Sequence, residues 1–106
     1  MKRSEWDFRS TGRSWPRASN AKSSLIALPG EPVIDLALRL RKEFSGRQTW
    51  VAGYCNEVFA YIPSERVLAE GGYEGGGAMR YFGWHGPFQP GVEDRVIDLV
   101  KRLMAQ

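Results

Sequence analysis

The sequence is poor in the two side chains that most often bind zinc or form nucleophile–base pairs. Its 106 residues include one cysteine, Cys55, and one histidine, His85. A single cysteine excludes an intrachain disulfide, so cysteine usage assigns no redox compartment. Zinc sites within small domains use several Cys or His ligands. We therefore do not expect this chain alone to form a complete zinc site.

Long hydrophobic runs are also missing. No apolar stretch approaches the roughly 18 residues that a membrane-spanning helix needs, so no membrane span is predicted. The basic N-terminus is not followed by an apolar segment and is not expected to be a secretory signal. These absences leave the cellular location open.

Positive charge is unevenly distributed along the chain. The net charge is +3, but residues 1–22 carry six basic and two acidic side chains, whereas residues 23–106 carry nine basic and ten acidic ones. Segment 1–22 is predicted to be a disordered tail, and no specific nucleic-acid binding is expected of residues 23–106. Because arginines and aromatic residues interleave in the tail, an alternative is that it contacts RNA or an anionic lipid surface.

The first half of the region after the tail predicts a strand–helix–strand unit. Residues 24–28 form a short apolar run that Pro29-Gly30 ends, as expected for a buried strand. Apolar residues recur at helical spacing over 33–44, and Pro32 suits the first turn of that helix. Residues 49–54 predict a second strand. Such a unit implies parallel strands joined by a right-handed crossover.

The second half predicts two further helices. Pro63-Ser64 opens a short helix over Glu65–Glu70. Residues 71–91 are rich in glycine and aromatic side chains and are predicted to be an irregular loop. Residues 92–104 predict an amphipathic helix whose apolar face consists of Val92, Val96, Leu99, Val100 and Leu103. The predicted fold class is therefore α/β: a small βαβ-type parallel sheet with two or three helices over residues 23–106.

Polar side chains follow both predicted strands. Glu31 comes just after the first strand, and Asn56 and Tyr61 follow the second. Parallel strands deliver these loops to the same edge of a sheet, where ligands bind. Structural alternatives remain open for each residue: Glu31 could complement a helix N-terminus, Asn56 could form a turn, and Tyr61 could pack at a strand end.

Three other features predict no catalytic site. The run Gly75-Gly76-Gly77 lacks the flanking residues of a phosphate-binding motif and is predicted to be a turned or flexible loop. Cys55 has no base near it in sequence and is predicted to be a small buried thiol. His85 is predicted to be a surface loop residue.

Several elements match one family in order. Pro29-Gly30-Glu31, Gly53-Tyr54-Cys55-Asn56 with Tyr61, and Tyr73-Glu74 together resemble the C-terminal part of the catalytic domain of the neutral/alkaline ceramidase family. Members of this family are zinc-dependent amidohydrolases that split ceramide into sphingosine and a fatty acid. The resemblance covers roughly residues 23–106. It implies that Glu31 and Tyr61 are zinc ligands, and that their supporting loops contain Gly30, Asn56, Tyr73 and Glu74.

The chain also departs from the family pattern. The family's other zinc ligands are histidines from far upstream, and an upstream serine belongs to the active site; neither has a counterpart here. We therefore expect a C-terminal fragment of a ceramidase-like enzyme that binds zinc weakly, contains no assignable catalytic residue and is inactive alone. Completed by an upstream region, it would act on a lipid amide. The alternative is a stand-alone α/β binding module whose basic tail contacts an anionic partner.

Overall fold

The computed structural model describes residues 22–106, in which two pairs of parallel strands combine with four α-helices. The elements in chain order are β1 (Ser23–Ala27), β2 (Glu31–Pro32), α1 (Ile34–Glu43), β3 (Gln48–Ala52), β4 (Tyr61–Ile62), α2 (Glu65–Glu70), α3 (Gly72–Gly75), a 3-10 helix (Gly77–Arg80) and α4 (Val92–Met104). This arrangement confirms the predicted small α/β fold, with more helices than expected. Both interpretations of the tail concern residues that lie, apart from Lys22, outside the described part of the chain. No helix in residues 22–106 is long and apolar enough to cross a membrane.

The larger sheet confirms the predicted parallel pair. Strands β1 and β3 run parallel, with Leu25 opposite Trp50 and Ile26 opposite Val51. The pairing continues past the end of β1, where the Leu28 N–H donates to the Ala52 carbonyl over 2.8 Å. Each strand is shifted by one or two residues from its predicted bounds, which is the usual uncertainty at element ends.

Helices α1 and α4 cover one face of this sheet. The predicted stripe on α1 is confirmed, because Leu36 and Leu40 are fully buried. One core cluster joins the sheet to both helices and consists of Ile26, Leu28, Leu40, Ile97 and Val100. Burial of this kind of side chain stabilises a fold by roughly 1.5–3 kcal/mol each.

The predicted bounds of α4 are confirmed, but its predicted buried face is partly wrong. Ile97 is completely buried, whereas Leu99 and Leu103 are 52% and 58% exposed. The reason is geometric: a sheet of two strands is too narrow to cover the whole apolar side of a 13-residue helix.

The prediction that Pro32 begins a helix is wrong. Pro32 lies in β2, opposite Ile62 of β4, and α1 begins two residues later at Ile34. The fixed φ of proline is compatible with an extended backbone, and its missing N–H is tolerated at the end of a short strand. The Val33 N–H then donates to the Ile62 carbonyl over 3.1 Å. Sequence patterns could not show this because two residues carry no periodicity.

Residues 71–91 are also more regular than predicted, since α3 and the 3-10 helix lie within them. Glycine permits the close packing there. A Cβ added at Gly75 would lie 2.6 Å from the Val67 carbonyl oxygen, a distance that real Cβ atoms do not reach. The predicted turned or flexible loop at Gly75-Gly76-Gly77 is therefore the packed junction of two short helices.

Reciprocal hydrogen bonds join the start of α2 to the start of α4. The Glu65 N–H donates to Glu93 Oε2 over 2.8 Å, and the Gly91 N–H donates to Glu65 Oε1 over 2.6 Å. Ser64 caps α2, as predicted, by accepting a hydrogen bond from the Val67 N–H. Each carboxylate thereby satisfies a backbone donor at or before a helix start.

Candidate functional site

The short sheet of β2 and β4 places Glu31 directly opposite Tyr61. These two residues are register partners in a parallel pair. The Glu31 N–H donates to the Ala60 carbonyl over 2.9 Å. The two side chains named as zinc ligands by the resemblance, 30 residues apart in sequence, therefore start from adjacent positions on one small sheet.

Gly30 makes this pairing possible. Its φ of +71° lies in the left-handed region, and a Cβ at this position would be 2.7 Å from the Ala60 carbonyl oxygen. The Gly30 N–H donates to the Glu57 carbonyl, and its own carbonyl accepts from the Tyr54 N–H over 2.8 Å. Both a positive φ and a close approach of backbone require glycine here. The predicted supporting role of Gly30 has this geometric basis.

The Glu31 carboxylate interacts with two phenols. Hydrogen bonding to Glu31 is the main cause that raises the pKa of Tyr61 to about 12, with partial burial adding to the effect. Hydrogen bonding to Glu31 also raises the pKa of Tyr54. A neighbouring negative charge and the loss of solvent both disfavour a phenolate. Both phenols are therefore protonated at neutral pH.

Tyr54 is a member of the site that the sequence analysis did not select. Its φ of +57° is unusual for a residue other than glycine, asparagine or aspartate. Tyr54 directly follows Gly53, where the loop begins. Its position just past a strand was the only signal in the sequence that could have identified it as a site residue. Backbone strain of this kind often occurs at functional sites.

An aromatic cluster surrounds Tyr61. The rings of Tyr61 and Tyr73 are 5.5 Å apart and nearly perpendicular, and Phe82 lies 6.5 Å from Tyr61 on a similar angle. Tyr81 contacts Tyr73 at 6.1 Å. Edge-to-face pairs of this geometry are favourable. Tyr73, predicted as a supporting residue, thus contacts Tyr61, whereas Tyr81 and Phe82 were not predicted.

A cavity of about 250 Å³ opens beside Glu31 and Tyr61. Its charged lining residues are Glu31, Asp35, Arg66 and Glu74. Glu74 was predicted as a supporting residue, and the fold brings it to the same cavity as both proposed ligands.

Within this cavity Asp35 and Arg66 neutralise each other. The Arg66 guanidinium donates to both Asp35 oxygens over 3.0 and 3.1 Å, and to Glu70. Hydrogen bonds from Arg66 and then from Ser64 lower the pKa of Asp35. In residues 22–106 no Lys or Arg forms an ion pair with Glu31 or Glu74. The cavity therefore presents excess negative charge.

Asn56 lies outside the cavity. It is exposed, with a φ of +67°, and the Glu57 N–H donates across it to the Cys55 carbonyl over 2.9 Å. This geometry matches the turn-forming alternative. Asn56 supports the site only indirectly, because the turn positions the Glu57 carbonyl that holds Gly30.

The remaining candidates lie elsewhere. Cys55 is half-buried rather than buried as predicted, and its thiol lies 3.4 Å from the Gly53 carbonyl oxygen. His85 is exposed in a loop, as predicted, and lines a separate cavity with Arg80 and Trp84. The cysteine and the histidine therefore do not share a cavity.

The oxygen donors near Tyr61 are few. Residues 22–106 contain no group of three or more His, Cys, Asp or Glu side chains able to hold a metal ion. Glu31 and Tyr61 supply two oxygen donors, and zinc in proteins takes four ligands.

Comparison with known proteins identifies no relative. No protein-family model matches this chain, and neither a curated protein nor a solved structure matches it significantly.

Proposed function

We propose that this chain supplies the glutamate–tyrosine half of a ceramidase-like, zinc-dependent amidohydrolase centre. Glu31 and Tyr61 would each contribute one oxygen ligand, and histidines from another polypeptide segment would complete the coordination. When bound, zinc would polarise the carbonyl of an N-acyl amide and lower the pKa of a bound water. By itself the chain would be inactive on such substrates.

The main support is the direct pairing of Glu31 with Tyr61 on β2 and β4. Two ligands of one metal must lie close together, and strand register satisfies this condition independently of side-chain flexibility. The neighbouring Glu31 carboxylate raises the pKa of Tyr61 to about 12, so the phenol is neutral without a metal. A divalent cation would displace the phenol proton, because opposite charge nearby favours the ionised form.

The charge of the cavity provides additional support. Asp35 is already paired with Arg66, whereas Glu31 and Glu74 face the same space without a basic partner in the described residues. A positive charge entering beside Tyr61 is therefore attracted rather than repelled. The aromatic ring of Tyr73 restricts how Tyr61 can move, which helps to hold one ligand in place.

Zinc titration of the full chain tests this proposal directly. With tyrosine ring carbons labelled, NMR should show the Tyr61 resonance moving toward its phenolate position as zinc is added. The shift should be lost in Glu31→Gln, and Tyr61→Phe assigns the resonance because it removes the Tyr61 signal. Glu57→Gln is the matched control, because Glu57 is exposed in the neighbouring loop and its substitution should leave the response unchanged. A zinc response that survives Glu31→Gln would contradict the proposal.

Complementation tests the enzymatic part. The chain is mixed with a separately produced polypeptide that carries the histidine ligands of a ceramidase-like enzyme, and hydrolysis of a fluorescent ceramide is measured. Hydrolysis is expected only in the mixture with zinc, and not with the Glu31→Gln chain. Hydrolysis by the purified chain alone would show that its active site is complete. It would refute the proposal that the chain supplies only half of the metal centre.

A further inference from the structure

An apolar groove of about 500 Å³ lies between β1 and α4 and shares no lining residue with the cavity beside Glu31 and Tyr61. Its lining contains no charged residue and includes Leu25, Ala27, Phe59, Val96, Leu99 and Leu103. Three of these leucines are largely exposed: Leu25 is 71%, Leu99 52% and Leu103 58% accessible. Contiguous exposed apolar surface on a small domain marks an interaction site.

The free edge of β1 borders this groove. Lys22 and Leu28 direct their backbone groups toward β3, because the Lys22 carbonyl accepts from Gln48 and the Leu28 N–H donates to Ala52. Backbone groups alternate in direction along a strand. The N–H and C=O groups of Ser23, Leu25 and Ala27 therefore point away from β3, and within residues 22–106 no other strand pairs with them. The groove thus offers backbone hydrogen bonds as well as apolar contact.

We propose that a second copy of this chain occupies the groove by pairing β1 antiparallel with the partner's β1. A two-fold axis at Leu25 would place Leu25 opposite the partner's Leu25. It would also pair Ser23 with the partner's Ala27, and Ala27 with the partner's Ser23. All three free-edge residues would then lie in hydrogen-bonded pairs. The two sheets would join into one four-stranded sheet.

Self-pairing suits this edge for two physical reasons. The free-edge residues are small at both ends and apolar in the middle, so the pattern is compatible with its own reversal, as an isologous interface requires. The groove lining is free of charge, so covering it with a second copy buries no charged lining residue. In the dimer the two α4 helices would lie side by side beneath the central strands and cover Leu99 and Leu103. This surface is separate from the proposed metal half-centre and does not depend on it.

Sedimentation velocity of the full chain tests the association. The expected species is a dimer of about 24 kDa, twice the 12.0 kDa of the chain. Leu25→Lys should raise the dissociation constant at least tenfold, because it places two like charges opposite each other at the axis. Leu38→Lys is the matched control: Leu38 is 56% exposed on α1, and its substitution should leave association unchanged. Circular dichroism establishes that both variants fold.

Cross-linking tests the register. In a Cys55→Ser background, Leu25→Cys should oxidise to a covalent dimer, because hydrogen-bonded antiparallel partners have Cα atoms about 5.5 Å apart, within disulfide range. Leu38→Cys should remain unlinked. The proposal is overturned if the full chain stays monomeric at all concentrations. That result would mean that a second copy does not fill the groove, whatever else occupies it, including residues 1–21 or another apolar ligand. A dimer that survives Leu25→Lys without cross-linking at position 25 also overturns it.

Discussion

Glu31 and Tyr61 face each other across the two-residue strands β2 and β4, and the Glu31 carboxylate holds the pKa of Tyr61 at about 12. The pKa of Tyr61 depends on Glu31 because the two residues are close in space, although they are far apart in sequence. The same carboxylate also raises the pKa of Tyr54. One acidic side chain therefore controls the ionisation of two phenols, and this relationship can be measured without knowing any substrate.

Replacing Glu31 by glutamine should lower the pKa of Tyr61 toward the ordinary value of about 10. Because the native pKa is raised, this interaction stabilises the fold fully below about pH 10 and is lost as the pH rises through about 12. NMR titration of labelled tyrosine rings measures the pKa in each variant. Glu57→Gln should leave the Tyr61 curve in place. An unchanged Tyr61 curve in Glu31→Gln would show that the phenol has another partner.

Gly30→Ala should destabilise the fold by roughly 2 kcal/mol or more, because it adds a backbone clash to the cost of a left-handed conformation. The added Cβ would meet the Ala60 carbonyl oxygen at 2.7 Å. Gly91→Ala is the control, since Gly91 has a left-handed backbone with φ +94° but no atom within 4 Å of the added Cβ. Chemical denaturation of both variants separates the clash from the conformational cost. Equal losses would mean that the clash is relieved.

Leu40→Ala should cost about 2–5 kcal/mol of unfolding free energy, because it opens a cavity where α1 meets the core. Leu40 is completely buried in the cluster with Ile26 and Ile97. Leu38, two residues earlier on the same helix, is 56% exposed, and Leu38→Ala should change stability by less than about 0.5 kcal/mol. Urea unfolding of both variants measures the difference. A similar cost for both would place the core elsewhere.

Asp35→Asn should reduce the acid sensitivity of the fold. Hydrogen bonds from Arg66 and Ser64 lower the pKa of Asp35, so their contribution is present above the ordinary pKa of 3.8 and is lost as the pH falls below it. The Arg66 side chain is 59% exposed, so solvent screening keeps the effect small. Stability measured from neutral pH down to about pH 2 should fall less steeply in Asp35→Asn. An identical slope would assign the acid sensitivity to other carboxylates.

Local patterns in the sequence predicted α1, α2 and α4, but not α3 or the 3-10 helix. The spacing of Leu36 and Leu40 predicted the buried face of α1, and the Ser64 cap predicted the start of α2. Such signals depend on residues within one or two turns, so a single sequence contains them completely. The bounds of α4 were predicted for the same reason, although its covered face was not.

The site was predictable only in part. The positions of Glu31 and Tyr61 after two strands indicated that they could meet, and the resemblance selected them among other polar residues. The interaction of Tyr54 with Glu31, and the pairing of Arg66 with Asp35, had no local signal. The latter two are 31 residues apart and approach only because α2 packs beside the start of α1.

The sequence by itself determined where the three longer helices form, where glycine must allow a turn, and which charged and aromatic side chains were available to the site. Only the tertiary structure decided that β2 and β4 exist, that Tyr54 and Tyr61 share one carboxylate, and that Leu99 and Leu103 stay exposed while Ile97 is buried. The physical reason is the sequence separation over which each kind of interaction acts. Periodicity and capping act between neighbours along the chain, whereas strand register and burial depend on contacts between segments far apart in sequence.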